Sequence, residues 1–434
     1  MVSEAARLPN SVWAATATPA SPYQSLSRDT QVDVAVVGAG FTGLSCALHL
    51  AERGYKVAVL DAFEPGWGAS GRNGGQIIAG LKHDPDELES TFGPRLGKAM
   101  VREFGAGADL VSSLVERYAI ACDLRRTGWI QGAHGPKAFE SVVRPRFEQW
   151  KARGVDARLL GREETASLIG SDAGAYCGGW LDPRGGVLQP LSYARGLAAG
   201  AMSKGAAIYA GTPARRLLSN GSGWKIETDG PSISAGKVVL ATNAYTDDLW
   251  PGLRQTVIPV TSFQIATKPL PAGMRQTLLP GGQGVSDTRR LLIYFRLDPD
   301  GRLLMGGRSP VEDNPTLEDA APLKAVIARI FPHLGDVPIE FVWSGKVAIT
   351  KDKMPHIHML APGLFAALGF NGRGVAASTV AGKWMAGFVG GMQPDDLPLP
   401  VTAPDRFVFH GFRKLGVFAM SQYYRLLDRL ESRG

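Results

Sequence analysis

The stretch Asp33–Asp61, DVAVVGAGFTGLSCALHLAERGYKVAVLD, limits what this chain can fold into more than any other. An apolar run, Val34–Val37, leads into a glycine-dense turn. Apolar residues then recur at helical intervals (Leu44, Ala47, Leu48, Ala51), and a second apolar run ends in the carboxylate of Asp61. That order predicts a buried strand, a helix and a second strand. Gly38, Gly40 and Gly43 stand at G-x-G-x-x-G spacing, with Ala39, Phe41 and Thr42 among them. The first glycine permits the tight turn, the second lets backbone approach a pyrophosphate, and the third lets helix and strand pack closely. The helix N-terminus offers unpaired N–H groups and a positive dipole end to phosphates. Asp61, followed by Ala62, is placed to accept both hydroxyls of an adenosine ribose. A dinucleotide site is expected.

At 434 residues the chain exceeds one ordinary domain, so two interleaved domains with sizeable cores are expected. The net charge is +7, but lysines and arginines are scattered, which argues for solvated surface and against nucleic acid. Cys46, Cys122 and Cys177 lack metal-ligand spacing, and a reducing, cytoplasmic setting with packed or inert thiols is expected. His356 and His358 share one side of a strand without a partner acid or cysteine cluster, so they read as surface histidines and no metal is expected. No secretory signal is read at the N-terminus. The apolar stretch Leu364–Gly390 is broken by Asn371, Arg373 and Lys383, so no membrane span is expected.

Residues 1–30 read as an irregular arm that Trp13 and Tyr23 could pin to the body. The loop GWGASGRNGGQ (Gly66–Gln76) holds five glycines, implying backbone packed against a flat ligand near the redox end of a dinucleotide. Ser70, Arg72 and Asn73 are its side chains able to reach phosphate or ring. Helices over 84–118, a strand at Asp123–Ile130, a helix at Phe139–Arg153, a long small-residue helix within Gly185–Leu217 and a buried strand at Lys237–Thr242 follow. Leu291–Leu297 and Arg302–Gly307 form a hairpin around Asp298-Pro299-Asp300-Gly301. With Leu297 opposite Arg302, Tyr294, Arg296, Leu303 and Met305 share a ligand-facing side, while Ile293, Phe295 and Leu304 pack on the other. The tail Asp405–Gly434 mixes basic, apolar and aromatic residues; it reads as a docked amphipathic helix, with an interfacial membrane helix as the alternative.

The cofactor reads as a flavin. A simple NAD dehydrogenase would keep its nucleotide fold in one block, whereas here strand–turn segments recur near Lys237–Thr242 and Leu364–Gly374, separated by sheet-like insertions. The turn GFNGRG (Gly369–Gly374) runs into a helix from Val375 to about Val389. A positive helix end there would stabilise the negative charge of reduced flavin near N1 and the C2 carbonyl.

The chain resembles the glycine oxidase/D-amino acid oxidase family of FAD-dependent oxidoreductases, and within it the γ-glutamylputrescine oxidoreductase branch. The resemblance is carried by the Asp33–Asp61 stretch, GWGASGRNGGQ, VVLATNAYT, YFRLDPDGRLLMGGR, WSGKVAITKDKMP and GFNGRGVAASTVAGKWMA. It implies an α/β fold: a glutathione-reductase-type, Rossmann-like FAD-binding domain with an interleaved antiparallel-sheet substrate domain. The expected division is an arm (1–30), an FAD-binding domain (31–83, 155–256, 341–395), a substrate domain (84–154, 257–340) and a helical tail (396–434).

It further implies that Gly38, Gly40, Gly43 and Asp61 form the ADP site, that Ala69, Ser70, Arg72, Asn73, Gly74, Gly75 and Gln76 surround pyrophosphate and flavin, and that Ala214 passes along the adenine. Thr242, Asn371, Gly372, Arg373, Gly374 and Val375 would meet the flavin. Sarcosine oxidase-like relatives carry a lysine where this chain has Ala376, and histidine is common where it has Arg373, which argues against a sarcosine- or glycine-type substrate. The expected reaction is oxidation of an amine or amino-acid C–N bond to an imine, which water hydrolyses. The α C–H would give a hydride to flavin N5, with Arg296 and Tyr294 holding a polar end of the substrate. O2 or another acceptor takes the electrons. An NAD(P)-linked dehydrogenase and a non-catalytic flavoprotein subunit are the competing readings.

Overall fold

Two eight-stranded sheets share the chain, which passes from one to the other several times. The computed structural model describes residues 8–308 and 314–431; the first seven residues of the expected arm and the last three of the tail lie outside the described residues. In the first sheet, Leu364–Leu368, Ile233–Leu240, Thr30–Val37, Val57–Leu60 and Ala207–Tyr209 lie side by side and run parallel. Their continuous apolar runs suit strands covered on both faces. His356–Ala361 adds an antiparallel strand beyond Leu364–Leu368. Val37, Leu60 and Leu240 are level in this register, so the turns that begin at Gly38, Asp61 and Ala241 leave one edge together, with Gly369 close beside them. Ligands of open parallel sheets bind at that edge.

Helices Phe41–Ala51, Pro190–Ser203 and Gly374–Val389 pack together over this sheet. Gly382 permits the closest approach: a Cβ there would lie 2.5 Å from the Thr42 carbonyl oxygen, and next to it Ser45 Oγ donates to Thr379 O at 2.8 Å. The N-termini of Phe41–Ala51 and Gly374–Val389 both open on the same cavity.

The second sheet runs Ile339–Ile349, Ile258–Thr267, Leu303–Arg308, Tyr294–Leu297, Gly284–Asp287, Trp129–Ala133, Gly178–Asp182, Arg158–Leu160. All its pairs are antiparallel except Gly284–Asp287 with Trp129–Ala133. Three expected boundaries therefore move. Arg158–Leu160, Gly178–Asp182 and Ile339–Ile349 belong to the second sheet, not to the nucleotide-binding part. Conversely, the helices Pro85–Gly105 and Gly107–Arg117 share the apolar core of the first sheet's helices, with Gly107 in contact with Ala376.

Further local expectations are corrected. Asp123–Ile130 is not a strand: Asp123 and Gly128 sit at positive φ (49° and 89°), and the strand runs Trp129–Ala133. The hairpin pairs Leu297 with Leu303, not with Arg302. Gly301 at φ 81° makes Pro299–Gly301 a three-residue loop, which moves the register by one. Tyr294 and Arg296 thus share a side with Leu304 and Gly306, and Phe295, Leu303 and Met305 enter the core on the other. The arm is not irregular throughout. Ser11 caps a short helix, Val12–Thr16, and Trp13 is buried with its Nε1 donating to Asn73 O at 2.7 Å.

Candidate flavin and substrate site

A cavity of about 1590 Å³ extends from the C-terminal edge of the first sheet to the wall of the second. It exceeds the roughly 300–1,000 Å³ that one small ligand fills. Gly38–Thr42, Asp61, Ala62, Ala69, Ser70, Arg72–Gly74, Gln76, Ala214, Thr242 and Asn371–Val375 all line it; Gly43 and Gly75 stand just behind.

At the nucleotide end each glycine answers a contact. Gly38 has φ +106°, and a Cβ there would come 2.9 Å from Ala241 O; one on Gly43 would come 2.0 Å from Gly38 O. A Cβ on Gly40 would meet only Ser70 Oγ, at 3.0 Å, so Gly40 keeps cavity space open rather than relieving a backbone clash. Ser70 Oγ also accepts the Phe41 N–H at 2.9 Å, serving as the helix cap that Gly40 cannot provide. The Asp61 carboxylate accepts from Ala39 N at 2.7 Å and Phe63 N at 2.9 Å, one on each oxygen. Each oxygen keeps a lone pair for a ribose hydroxyl. Burial pushes this carboxyl's pKa up, and the two backbone donors pull it back.

The glycine loop is held by its own side chains. Asn73 Nδ2 donates to Ala69 O and Ser70 O (3.1 and 2.8 Å), and its Oδ1 accepts Gly75 N at 2.8 Å. Asn73 therefore shapes the loop and its side chain has little left to offer a ligand. Arg72 lies over the Trp67 ring at 4.3 Å and donates to Trp67 O at 2.8 Å. Gln76 Nε2 donates to Val285 O and Phe295 O, tying the loop to the second sheet.

At the other end, Asn243 Oδ1 accepts Gly369 N at 2.9 Å, and Asn371 Oδ1 accepts Thr350 N at 3.1 Å. These bonds fix the turn before helix Gly374–Val389, whose N-terminus carries no side-chain cap and faces the cavity. Arg373 donates to Ala79 O at 2.9 Å and lies 5.6 Å from the Trp129 ring centre. Burial, with the nearby Arg146, holds its pKa down at about 9.

The second sheet supplies the facing wall. Tyr294 OH and Ser262 Oγ are 2.8 Å apart, and burial pushes the phenol up to about 12. Arg296 is not on this wall. It is 1% exposed, and its NH1 donates to Leu188 O at 2.6 Å and Gly75 O at 3.1 Å. The structure thus corrects its expected place: it supports the glycine loop from beneath and does not line the cavity. Two cations missed in the sequence do line it. Arg308 projects from the strand next to Tyr294, and Lys82 follows the glycine loop. Neither has a hydrogen-bond or ion-pair partner among the described residues. The Lys82 ammonium is exposed to the open cavity while protein encloses it on all other sides; that enclosure, then Arg373, Arg146, Lys353 and Arg308, brings its pKa down to about 7. No motif marks Lys82. Arg308 ends the YFRLDPDGRLLMGGR hairpin, and the observed register, with Tyr294 opposite Gly306, is what brings Arg308 to the side of Tyr294 and Ser262.

Outside the cavity, His358 is buried rather than on the surface. Its Nδ1 is 2.7 Å from Thr402 O, and burial lowers its pKa to about 4. Asp352 Oδ1 accepts Met354 N at 3.0 Å, capping a turn. Burial pushes Cys46 and Cys122 up to about 12, which leaves both as unreactive thiols. Helix Arg413–Glu431 crosses the cavity mouth, with Val417, Ser421 and Tyr424 facing in.

A glycine turn at one helix N-terminus, a carboxylate at the end of the second strand and a second helix end, all at one cavity, are the parts a dinucleotide-binding flavoprotein requires. The family model described as FAD dependent oxidoreductase (DAO) matches residues 33–387, and the chain belongs to that family. Its cofactor is FAD, and it is an FAD-dependent amine or amino-acid oxidoreductase. It is 32% identical to a probable oxidoreductase, OrdL, of Haemophilus influenzae over 94% of each chain. It is also 32% identical to the gamma-glutamylputrescine oxidoreductase of Escherichia coli, over 97% of this chain and 98% of the other. Among solved structures, glycine oxidase from Geobacillus kaustophilus superposes with a TM-score of 0.73 at 24% identity, covering 86% of this chain and 99% of the other, which shows the shared fold.

Proposed function

We propose that the enzyme oxidises the C–N bond of an amine that also carries a carboxylate, of the γ-glutamyl amine kind. The observation that carries this reading is the cluster of cations at the redox end of the cavity: Arg308, Arg373 and Lys353 lie around Lys82. A simple diamine, doubly positive near neutral pH, is repelled there, while a carboxylate is attracted. The resemblance to a gamma-glutamylputrescine oxidoreductase over nearly the full chain supports the same substrate class.

In this reading Gly38–Gly43 and Ser70 hold the pyrophosphate, Asp61 the ribose, and Gly372–Val375 the ring edge of FAD. Bound FAD would supply the hydride acceptor for the carbon beside the amine nitrogen. Arg308 and Arg373 grip the carboxylate, since a guanidinium matches it with paired donors. Tyr294 and Ser262 shape the facing wall, and the helix Arg413–Glu431 restricts water at the mouth. Positioning then carries the rate. The test is anaerobic: purified yellow enzyme is mixed with γ-glutamylputrescine, putrescine, glycine, sarcosine and D-amino acids in turn. Bleaching of the flavin band by the γ-glutamyl amine at far lower concentration than by putrescine is the expected result. Equal or faster bleaching by putrescine removes the carboxylate from the reading, and no bleaching by any amine favours a non-catalytic flavoprotein. Repeating the turnover with and without O2 identifies the electron acceptor.

A further inference from the structure

We propose that the substrate amine carries an apolar arm, alkyl or aryl and several carbons long, which lies in a hydrocarbon-lined strip between the second sheet and the C-terminal helix. The inference deepens the proposed function and rests on it for the place of the carboxylate. The first wall of the strip belongs to the sheet. Ser262 stands directly opposite Arg308 in the register, and its Oγ lies 2.8 Å from Tyr294 OH, so this part of the wall is polar. On the same side of the same strand come Val260, opposite Val347, and then Ile258, opposite Ile349. All four of these aliphatic side chains line the cavity. At about 3.4 Å per residue, the two pairs lie roughly 7 and 14 Å from the Ser262–Arg308 pair.

The second wall is the helix segment, and it repeats the order. Ser421 and Tyr424 line the cavity from the C-terminal half of the helix, with Tyr424 close enough to Arg308 to interact with its charge. Toward the other end the lining turns apolar, through Met420, Leu415, Phe412, Phe409 and Val408. His410 Nε2 lies 3.0 Å from Val257 O, which ties this apolar end beside Ile258. Both walls therefore pass from polar to apolar in the same direction, away from Arg308. These five side chains stay exposed although they line the cavity, and large apolar groups gathered on the rim of a site mark where a ligand removes them from water. Phe418, Tyr423, Leu426 and Leu430 are exposed too but do not line the cavity, so they form no part of the strip. A ligand polar throughout would leave both walls wet, and one apolar throughout would leave Arg308 and Lys82 unanswered. The complementary ligand is amphiphilic, with a carboxylate at the cations and hydrocarbon along the strip.

The test uses carboxylates that carry no amine to oxidise. FAD-loaded full-length enzyme is titrated with acetate, butyrate, hexanoate and octanoate, and binding is read from the flavin difference spectrum. The dissociation constant should fall by roughly two- to fourfold per methylene beyond butyrate, about fourfold being the effect of burying one CH2 completely. Phe412 and Leu415 are 70% and 67% exposed, so changing them opens no core. F412S/L415S should flatten the series while leaving acetate binding and flavin content unchanged. F418S/L426S, altered away from the cavity, should keep the full slope. With amine substrates, F412S/L415S should raise KM for the long-chain members and leave the limiting rate of flavin reduction as it was. A series that is flat in the unaltered enzyme, or no binding of octanoate, overturns the proposal. So does a slope that F412S/L415S keeps, or that F418S/L426S loses to the same degree. The proposed function fails separately: acetate affinity unchanged in R308M would remove the carboxylate anchor whatever the slope, and a steep slope without bleaching by any amine would leave the strip without the reaction.

Discussion

The Arg296 guanidinium donates to the Gly75 carbonyl at 3.1 Å and to that of Leu188 at 2.6 Å, holding the glycine loop from below the cavity floor. Arg296→Met should therefore cost stability, about 1–3 kcal/mol from lost buried hydrogen bonds, and loosen FAD. In the fraction that keeps its flavin, KM for the amine should stay the same. Denaturant unfolding, flavin absorbance and steady-state kinetics check the three parts separately. A selective rise in KM at full flavin content would return Arg296 to the substrate.

Gly40 and Gly43 should fail in different ways. Gly43→Ala places a methyl 2.0 Å from a carbonyl oxygen of the preceding turn, so the βαβ unit must distort and the protein should express poorly or melt early. Gly40→Ala meets only Ser70 Oγ and should fold, with an apo melting temperature near that of the parent. Its methyl occupies the approach to the pyrophosphate, and FAD binding should weaken sharply. Thermal melts beside cofactor titrations separate the two outcomes.

Asp61→Asn keeps the shape but replaces an acceptor oxygen by a donor nitrogen opposite the N–H of Ala39 or Phe63. It also removes a charged acceptor for ribose. A hydrogen bond to a charged group contributes about 1.5–3 kcal/mol, so the FAD dissociation constant should rise roughly 10- to 100-fold. Fluorescence titration of the apoprotein measures it directly, and an unchanged constant would show that the ribose is held elsewhere.

Lys82 sets a pH dependence with a definite sign. Its folded pKa, about 7, lies below that of an unfolded lysine, so the folded apoprotein binds fewer protons between the two values. The penalty for holding the ammonium in this enclosed, cation-lined cavity is fully present below pH about 7 and fades as the pH rises toward the unfolded value. Lys82→Met should raise the apo melting temperature most in mildly acid buffer and least in alkaline buffer. In the holoenzyme a simple dicarboxylate should bind most tightly while Lys82 is charged, weaken as the pH rises through about 7, and lose that dependence in the variant. Flavin difference spectra follow the binding.

The nucleotide half of the site was legible because its constraints are local: strand, turn, helix and terminal acid are consecutive, Gly38 and Gly43 answer backbone contacts within that unit or with the next strand, and Gly40 keeps the cavity open. The turn Gly369–Gly374 was legible for the same reason, although only folding places it beside Gly38. The substrate wall was not. Its register depends on whether a hairpin loop holds two residues or three, and Gly301 at positive φ decided that in a way the tetrad Asp298–Gly301 did not announce. Lys82 belongs to no motif, and its character comes from the protein that folding closes around it and, after that, from the placement of Arg373, Arg146, Lys353 and Arg308 nearby. The sheet joined by Arg158–Leu160, Gly178–Asp182 and Ile339–Ile349 was not legible, because strand-forming sequence does not state which sheet a strand joins.

The repeated passage of the chain between its two sheets has a further consequence. Neither layer can be cut out as a separable fragment: a break after residue 240 would strip the parallel sheet of Leu364–Leu368, and one after residue 160 would leave the opposing sheet with two short strands. The seam where cofactor and amine would meet is closed only after distant parts of the polypeptide have arrived. Late folding and flavin capture should therefore proceed as one event, with nascent or truncated forms left to proteolysis.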